Sequence, residues 1–281
     1  MNCRYFLTRS KTKKQVKTSK ENKVLLFGDN LYNYENYRPN YPEALFASIV
    51  GSLSGKTKTC IDVGAGTGIA SSVYANTFDQ VIAVEPDVLM ADSILNNPNL
   101  KNNVSVLKGD FGEVKNECNT IDLINCSSSF HWLKEDSFLK KAKDLLRKEG
   151  LICVNNVNIH PVFNGRLNDY IQEEFNAVWK NFMNEKLNDL VNKDLVVEKL
   201  KSVAGFTSPE TKSFDNLKKI SSVDLIGFIS SLSYFNTFLK SLESEGRKSY
   251  LSDFLERVEE FSDDGLHLVN FEVHLFLIKK L

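Results

Sequence analysis

The chain has 281 residues, 42% of them hydrophobic and 25% charged, with a formal net charge of −1 at pH 7. This balance is typical of a globular protein with a large buried core, and it excludes a fibrous chain or one disordered throughout. No run approaches the roughly 20 apolar residues that cross a bilayer, and the N-terminus lacks the apolar core of a secretory signal. We therefore expect a cytoplasmic protein without a membrane partner.

Charge is distributed unevenly along the chain. Residues 1–23 hold eight of the 35 Lys and Arg residues and one of the 36 acids, so the rest holds 27 basic and 35 acidic residues. An excess of eight negative charges repels a phosphate backbone, which argues against nucleic acid as a partner. Residues 1–25 are predicted to be a disordered basic leader, with an organelle-targeting segment as the alternative. Residues 26–281 are predicted to form one domain.

Apolar runs alternate with amphipathic stretches through the middle of the sequence. This alternation predicts strands at 59–63, 81–85, 104–107, 121–125 and 151–154. It also predicts helices that begin at Thr67, a good N-cap, at Pro86 and Asp87, and at residue 136, the last being closed by Gly150. Continuously apolar strands between amphipathic helices indicate a parallel sheet covered on both faces, a three-layer Rossmann-like α/β fold.

After residue 157 the pattern becomes mainly helical. Two helical segments, at about 160–205 and 221–262, carry interleaved aromatic residues that we expect to be mostly packed interior. A strand is predicted near 211–214. Alternation of apolar and polar residues over 267–278 predicts an antiparallel strand that closes the sheet.

The most informative motif is Asp-Val-Gly-Ala-Gly-Thr-Gly at residues 62–68, directly after the first predicted strand. Glycines let the backbone turn sharply, adopt positive φ and approach a ligand closely. The second strand ends in Glu85, 21 residues after Gly64, where a carboxylate can accept hydrogen bonds from both hydroxyls of a ribose. This layout predicts an adenosine-containing cofactor.

The details of the motif distinguish between the adenosine-containing cofactors. A dinucleotide site requires Gly or Ala at the third position of the motif, whereas counting from Gly64 gives Ile69 and counting from Gly66 gives Ser71. The negative charge of Asp62 repels a diphosphate and attracts a sulfonium or an ammonium group. The pattern therefore favours S-adenosylmethionine over NAD or FAD.

Several segments carry a family resemblance. Residues 62–68 and 84–87 resemble the first motif and the second-strand acid of class I S-adenosylmethionine-dependent methyltransferases, and residues 109–111 resemble their adenine-side segment. Residues 129–133 (SFHWL) and 37–42 (YRPNYP) resemble signatures of a small-molecule subgroup similar to trans-aconitate methyltransferases, of the methyltransferase type 11 kind. The resemblance implies a seven-stranded sheet whose last strand is antiparallel, with a C-terminal helical lid. Leu232 departs from the subgroup, which carries Trp there.

These motifs define the expected site. The cofactor is expected to contact Arg38, Asp62, Gly64, Ala65, Gly66, Glu85, Pro86, Asp110, Phe111 and Ser127. The acceptor is expected to contact Tyr41 and Trp132. His131 is the candidate catalytic residue, either as a general base or as part of the pocket wall. Arg38 could instead pair with an anionic acceptor.

The expected function is methylation of a small organic molecule at a carboxylate or hydroxyl oxygen. The segment after the fourth strand is Asn-Cys-Ser-Ser, not the Asn/Asp-Pro-Pro-Tyr/Phe of adenine and glutamine N-methylation. Two alternatives remain at this point: an NAD-dependent oxidoreductase of similar fold, and a non-catalytic binding protein with a methyltransferase fold. No Cys-x-x-Cys pair occurs among the five cysteines, so no metal is expected. The sequence does not predict an oligomeric state.

Overall fold

The computed structural model describes residues 30–281 apart from 56, 116, 159–160, 164, 184–191, 202 and 263. The predicted basic leader, residues 1–25, lies outside this part of the chain. The described strands are β1 Thr59–Val63, β2 Gln80–Glu85, β3 Val104–Lys108, β4 Ile121–Ser127, β5 Leu146–Val157, β6 Val162–Phe163, β7 Glu210–Phe214, β8 Leu217–Ser221, β9 Leu266–Asn270 and β10 Val273–Lys279. The described helices are α1 Asn30–Tyr37, α2 Glu43–Gly51, α3 Ile69–Tyr74, α4 Val88–Leu95, α5 Glu135–Leu145, α6 Arg166–Ala177, α7 Lys193–Lys201, α8 Ser222–Ser230, α9 Ser233–Ser241 and α10 Ser244–Glu259.

Seven strands form the central sheet in the order β3-β2-β1-β4-β5-β10-β7. Strands β1 to β5 are parallel, and β10 runs antiparallel to both of its neighbours. Successive residues of β1 face opposite ways, since Cys60 belongs to one hydrophobic cluster and Ile61 to another. The sheet is therefore covered on both faces. These features confirm the predicted fold class, including the antiparallel last strand.

Two predicted helix boundaries are wrong. Helix α3 begins at Ile69, after Gly68 has adopted a φ of 82°, and no side chain caps it. Helix α5 ends at Leu145, and Gly150 lies inside β5 instead of closing the helix. Residues 146–150 belong to β5 because their backbone pairs with neighbouring segments. For example, the amide of Lys280 donates to the carbonyl of Gly150 at 2.9 Å.

The predicted closing strand at 267–278 is divided into two. Strand β10 completes the central sheet, whereas β9 joins β6 and β8 in a second, three-stranded antiparallel sheet in the order β6-β9-β8. The burial patterns explain the division. Residues of β9 alternate between exposed and buried, whereas nearly all residues of β10 are buried.

Helices α6, α8, α9 and α10, with the 3₁₀ turn Trp179–Phe182, form an aromatic-rich unit that we call the lid. Its interior contains Trp179, whose ring meets Phe235 and Phe254 at centroid distances of 4.9 and 5.5 Å. The indole N–H of Trp179 donates to the hydroxyl of Tyr250 at 2.9 Å, and that hydroxyl donates to Glu174 at 2.8 Å. The indole N–H of the buried Trp179 is thus paired.

Helix α7 does not belong to the lid, although it falls within the helical segment predicted at about 160–205. Its buried residues Val196 and Leu200 pack in the cluster that contains Phe138 and Ile278, and the lid aromatics belong to the other cluster. In the part of the chain that the structure describes, no helix is long and apolar enough to cross a membrane.

Candidate active site

The carboxyl ends of β1, β2 and β4 open onto a cavity of about 470 Å³. These three strands are parallel, so their ends meet at one edge of the sheet, where ligands of such folds bind. The volume lies within the range of about 300–1,000 Å³ that is usual for small-molecule sites. The cavity brings together nine of the residues predicted as cofactor or acceptor contacts, and His131: Arg38, Gly64, Gly66, Glu85, Pro86, Asp110, Phe111, Ser127, Trp132 and His131.

The glycine turn after β1 forms the floor of this cavity. Gly64 and Gly66 have φ values of 65° and 59°, a region that residues with a Cβ rarely adopt. A Cβ on Gly64 would lie 2.6 Å from the Cβ of Ser129, which is closer than van der Waals contact allows. The amide of Gly64 also donates to the carbonyl of Val84 at 2.8 Å, which ties the turn to β2. The floor is therefore fixed by the backbone.

Glu85 stands beside this turn at the end of β2. Its Oε2 accepts a hydrogen bond from the amide of Gly66 at 2.7 Å, and its Oε1 accepts one from the amide of Asp87 at 2.9 Å. Burial raises the pKa of Glu85, an effect that these two hydrogen bonds oppose. Each carboxylate oxygen still has a lone pair for a ligand hydroxyl. The arrangement fits the expected pairing with the two hydroxyls of a ribose.

Asp110 and Phe111 follow β3 on the same side of the cavity. The Asp110 amide donates to Oε1 of Glu113 at 2.9 Å, which fixes the backbone where the chain enters its short 3₁₀ turn. Phe111 is buried and packs on Phe138 at a centroid distance of 5.0 Å. An exposed carboxylate next to a firmly packed aromatic ring fits the two contacts expected for an adenine base.

The segment after β4 supplies the opposite side. Ser127 lines the cavity, and its hydroxyl accepts a hydrogen bond from Nδ2 of Asn125 at 2.9 Å. His131 is 8% exposed, whereas Trp132 is 48% exposed and its ring lies 4.9 Å from the imidazole. The two rings are thus in contact, and both residues line the cavity wall. This position is compatible with both roles expected for His131, that of a general base and that of a residue that only forms the cavity wall.

Arg38 is the only Lys or Arg among the described residues that line the cavity. Its Nη2 donates to the carbonyl of Ser231 at 3.3 Å, and its guanidinium lies 4.9 Å from the ring of Tyr34 and 5.6 Å from that of Phe228. Its Nε is buried without a hydrogen-bond partner in the described structure. A partly buried cation held by aromatic rings, with a donor still available, is suited to bind a carboxylate.

Two of the predicted contacts do not line the cavity. Asp62 is fully buried and accepts hydrogen bonds from the Ser71 hydroxyl at 2.6 Å and from Nδ2 of Asn125 at 2.7 Å. Burial raises its pKa, and these bonds oppose the rise. Tyr41 also does not line this cavity and is partly buried: desolvation raises its pKa, while hydrogen bonding to Ser128 lowers it. Both side chains support the residues that line the cavity.

Ala65 is the third predicted contact that does not line the cavity. Its amide donates to the carbonyl of Val84 at 3.0 Å, so it holds the turn in place.

Sequence analysis missed the buried network around Asn125. Its Oδ1 accepts hydrogen bonds from the Tyr74 hydroxyl at 3.0 Å and from Nδ2 of Asn155 at 2.9 Å, and its Nδ2 donates to Asp62 and Ser127. The sequence did contain a signal for this network, because each of two apolar strands carries an asparagine. A buried amide group requires hydrogen-bond partners, so two such residues predict a buried polar network. The lining residues Met90 and Leu133 gave no signal beyond hydrophobicity.

Comparison with known proteins supplies independent evidence. Residues 61–154 match the protein family described as "Methyltransferase domain". A Dictyostelium discoideum protein that is named as a methyltransferase is 25% identical over 268 residues, which cover 90% of this chain and 94% of that protein.

Solved structures share the architecture. An Anaeromyxobacter dehalogenans protein described as a type II methyltransferase superposes with a TM-score of 0.67 at 16% identity, over 86% of this chain and 97% of that one. Phosphoethanolamine N-methyltransferase 2 of Haemonchus contortus was solved with phosphomonomethylethanolamine and S-adenosylhomocysteine. It superposes with a TM-score of 0.51 at 16% identity, over 93% of this chain and 59% of that one. At these identities the likeness shows the fold.

Proposed function

Because this chain is a class I S-adenosylmethionine-dependent methyltransferase, we propose that it methylates a small organic molecule at a carboxylate or hydroxyl oxygen. One observation carries the proposal. A single cavity is lined both by the residues suited to an adenosine and by a partly buried cation and an imidazole. Because residues 129–133 and 37–42 resemble signatures of the trans-aconitate methyltransferases, the proposal includes that the protein is related to that subgroup.

The residues on the cofactor side fit S-adenosylmethionine. Glu85 has lone pairs for the ribose hydroxyls, and Asp110 and Phe111 can hold the adenine by a hydrogen bond and by packing. When bound, the cofactor supplies a methyl group on a positively charged sulfur. The chain's task is then to hold the acceptor oxygen about 3 Å from that methyl on one axis and to exclude water.

The residues available to the acceptor support methylation at an oxygen atom. Arg38 can hold a carboxylate, either that of the methionine moiety or that of the acceptor. A carboxylate acceptor needs no base, whereas a hydroxyl acceptor gains from proton transfer to His131. The small hydroxyl groups of Ser127 and Ser128 at the end of β4 can orient an oxygen nucleophile.

The charge and shape of the molecule support a small acceptor. The 470 Å³ cavity suits a small organic molecule. Outside residues 1–23, acidic residues outnumber basic ones by 35 to 27, which disfavours nucleic acid. We therefore include in the proposal that the protein acts on a metabolite in the cytoplasm, without a nucleic-acid or membrane partner.

The experiment is to incubate the protein with S-adenosylmethionine labelled in its methyl group and with fractionated metabolite extracts. A labelled product that releases methanol in alkali is a carboxylate ester, and a stable product in which mass spectrometry places the methyl on oxygen is an ether. Either supports the proposal. A methyl group on nitrogen or carbon contradicts it. No product across broad extracts favours the alternative of a non-catalytic binding protein.

The His131→Gln variant separates the two kinds of oxygen acceptor. If the acceptor is a hydroxyl, removing the base lowers kcat by about 10²–10⁴-fold. For a carboxylate acceptor, kcat changes little and only KM moves.

A further inference from the structure

A second large cavity, of about 830 Å³, lies next to the cofactor cavity. Leu31 and Glu35 of helix α1 line this second cavity, whereas Tyr34 and Arg38 of the same helix line the first. Residues 67–69, at the end of the glycine turn, line the second cavity as well. Helix α1 therefore contacts both cavities, and what occupies the second one acts on a wall of the first.

The second cavity is negatively charged. Within the part of the chain that the structure describes, all the charged residues that line it are acidic, namely Glu35, Glu43 and Asp92. Glu35 accepts a hydrogen bond from the hydroxyl of Ser93, and Asp92 pairs with the exposed Lys108 at 2.5 Å. Lys108 itself does not line the cavity. The cavity therefore attracts a cationic occupant.

The same cavity also has an apolar part. Leu31, Ile69, Val73 and Leu89 contribute aliphatic side chains to its lining. Leu89 is 68% exposed, so an occupant that covers it removes a large apolar surface from water, which is favourable. A ligand that combines several cations with an apolar group fits both parts of the cavity.

The sequence directly before α1 has this combination. Residues 11–23 contain six lysines and a single acid, Glu21, and residues 24–27 read Val-Leu-Leu-Phe. The chain from Phe27 to Leu31 spans at most about 14 Å, because four extended residues reach no further. Since Leu31 lines the cavity, the apolar group is tethered beside it, with the lysines attached just before that group.

We infer that residues 11–27 of this chain dock into the second cavity, with residues 24–27 against Leu31 and Leu89 and the lysines beside the three carboxylates. Because the segment is covalently attached, its effective concentration at the cavity is of the order of millimolar, and a weak contact is enough to keep it docked. Exposed ion pairs contribute little individually, so the apolar contact fixes the position and the charges select the segment. Docking holds α1, and with it Tyr34 and Arg38, against the first cavity.

The test is limited digestion of the full-length protein with trypsin, in which mass spectrometry follows cleavage after the lysines of residues 11–23. Cleavage of this kind tracks the fraction of molecules in which the segment is undocked. A segment that is docked in about 90% of molecules is therefore cleaved about tenfold more slowly than a free one. We expect this difference between wild type and a triple variant that neutralises the cavity, Glu35→Gln with Glu43→Gln and Asp92→Asn.

A matched control neutralises three exposed carboxylates of helix α10 that line neither cavity, namely Glu245→Gln, Glu256→Gln and Glu259→Gln. It should be cleaved as slowly as wild type. A second variant, Leu25→Ser with Leu26→Ser, removes the apolar contact without altering the cavity, and it should be cleaved about tenfold faster than wild type. Its control is Leu7→Ser, which changes an apolar residue outside the docking segment and should leave the rate unchanged.

Protection in wild type that both variants remove supports the inference. Cleavage of wild type as fast as that of the variants overturns it, and this is the result expected for a disordered leader or an organelle-targeting segment. Protection that persists in either variant also overturns it. Protection that rises with protein concentration overturns it as well, because the docked segment would then belong to a second copy of the chain. None of these outcomes affects the proposed function, which depends on the first cavity.

Discussion

The two sides of the cavity are built differently. The cofactor side consists of backbone turns at the ends of adjacent parallel strands, where the amide of Gly64 donates to the carbonyl of Val84 and the amide of Gly66 donates to the carboxylate of Glu85. The acceptor side consists of side chains from distant parts of the sequence, such as Arg38 and Ser231, which are joined through tertiary packing. The first side is therefore rigid and locally encoded, whereas the second can change with substrate while the fold stays the same.

The largest expected effect tests the rigid side. Gly64→Ala places a Cβ 2.6 Å from that of Ser129 at a φ of 65°, and the strained backbone alone costs about 1–3 kcal/mol. We expect no measurable binding of S-adenosylhomocysteine by calorimetry. Gly246→Ala is the control, because a Cβ there meets nothing within 4 Å in helix α10. Normal binding by Gly64→Ala would show that the floor is not rigid.

A smaller loss of affinity for S-adenosylhomocysteine is expected for Glu85→Gln. The amide group of Gln would place an N–H against the amide of Gly66 or of Asp87, and the charge that we propose receives the ribose hydroxyls would be gone. Hydrogen bonds to a charged group contribute about 1.5–3 kcal/mol, so affinity for S-adenosylhomocysteine should fall by about 10–150-fold. Glu245→Gln serves as the control, because Glu245 is exposed in helix α10 and does not line the cavity. Equal effects in the two variants would remove Glu85 from the binding account.

On the side formed by distant residues, Arg38→Met keeps most of the apolar part of the side chain and removes its charge. Loss of a carboxylate partner should raise KM for the cofactor or for the acceptor by about tenfold or more. Steady-state kinetics that vary each substrate in turn will show which KM moves. Arg257→Met is the control, because that guanidinium also lies over aromatic rings but pairs with exposed Glu260 away from the cavity. A change in neither KM would contradict a ligand role for Arg38.

The smallest effect on binding is expected for Asp62→Asn. Since Asp62 is buried beneath the wall and bonded to Ser71 and Asn125, it acts on the cofactor through these residues. Affinity for S-adenosylhomocysteine should fall by less than about tenfold, the loss that a single neutral hydrogen bond produces. A loss as large as that of Glu85→Gln would instead show direct contact with the ligand.

The same variant has a pH signature. Burial raises the pKa of Asp62 in the folded state, so this group favours folding at pH below its unfolded pKa and loses that contribution as pH rises through the folded value. The free energy of unfolding of wild type, relative to Asp62→Asn, should therefore fall from acid to neutral pH. Denaturant unfolding of both proteins at several pH values measures this difference, and an opposite slope would contradict the buried position.

Sequence analysis predicted the cofactor side because its geometry is local. The spacing of Gly64 and Glu85 alone determines a turn and a strand end. It did not predict that Asp62 is buried beneath the cavity wall, because this position depends on hydrogen bonds from Ser71 in α3 and Asn125 in β4. The second sheet was missed for a similar reason: the sequence of residues 267–278 predicts one strand, and its division into β9 and β10 depends on the different strands with which they pair. The position of α7 likewise depends on which face of the sheet it meets.

The central claim is that the glycine turn and Glu85 form a site for S-adenosylmethionine and its product. Calorimetric titration of the wild-type protein with S-adenosylhomocysteine, and separately with NADH, tests it most directly. The account predicts that S-adenosylhomocysteine binds at one site per chain and that NADH produces no binding heat. Binding of NADH without binding of S-adenosylhomocysteine would contradict it.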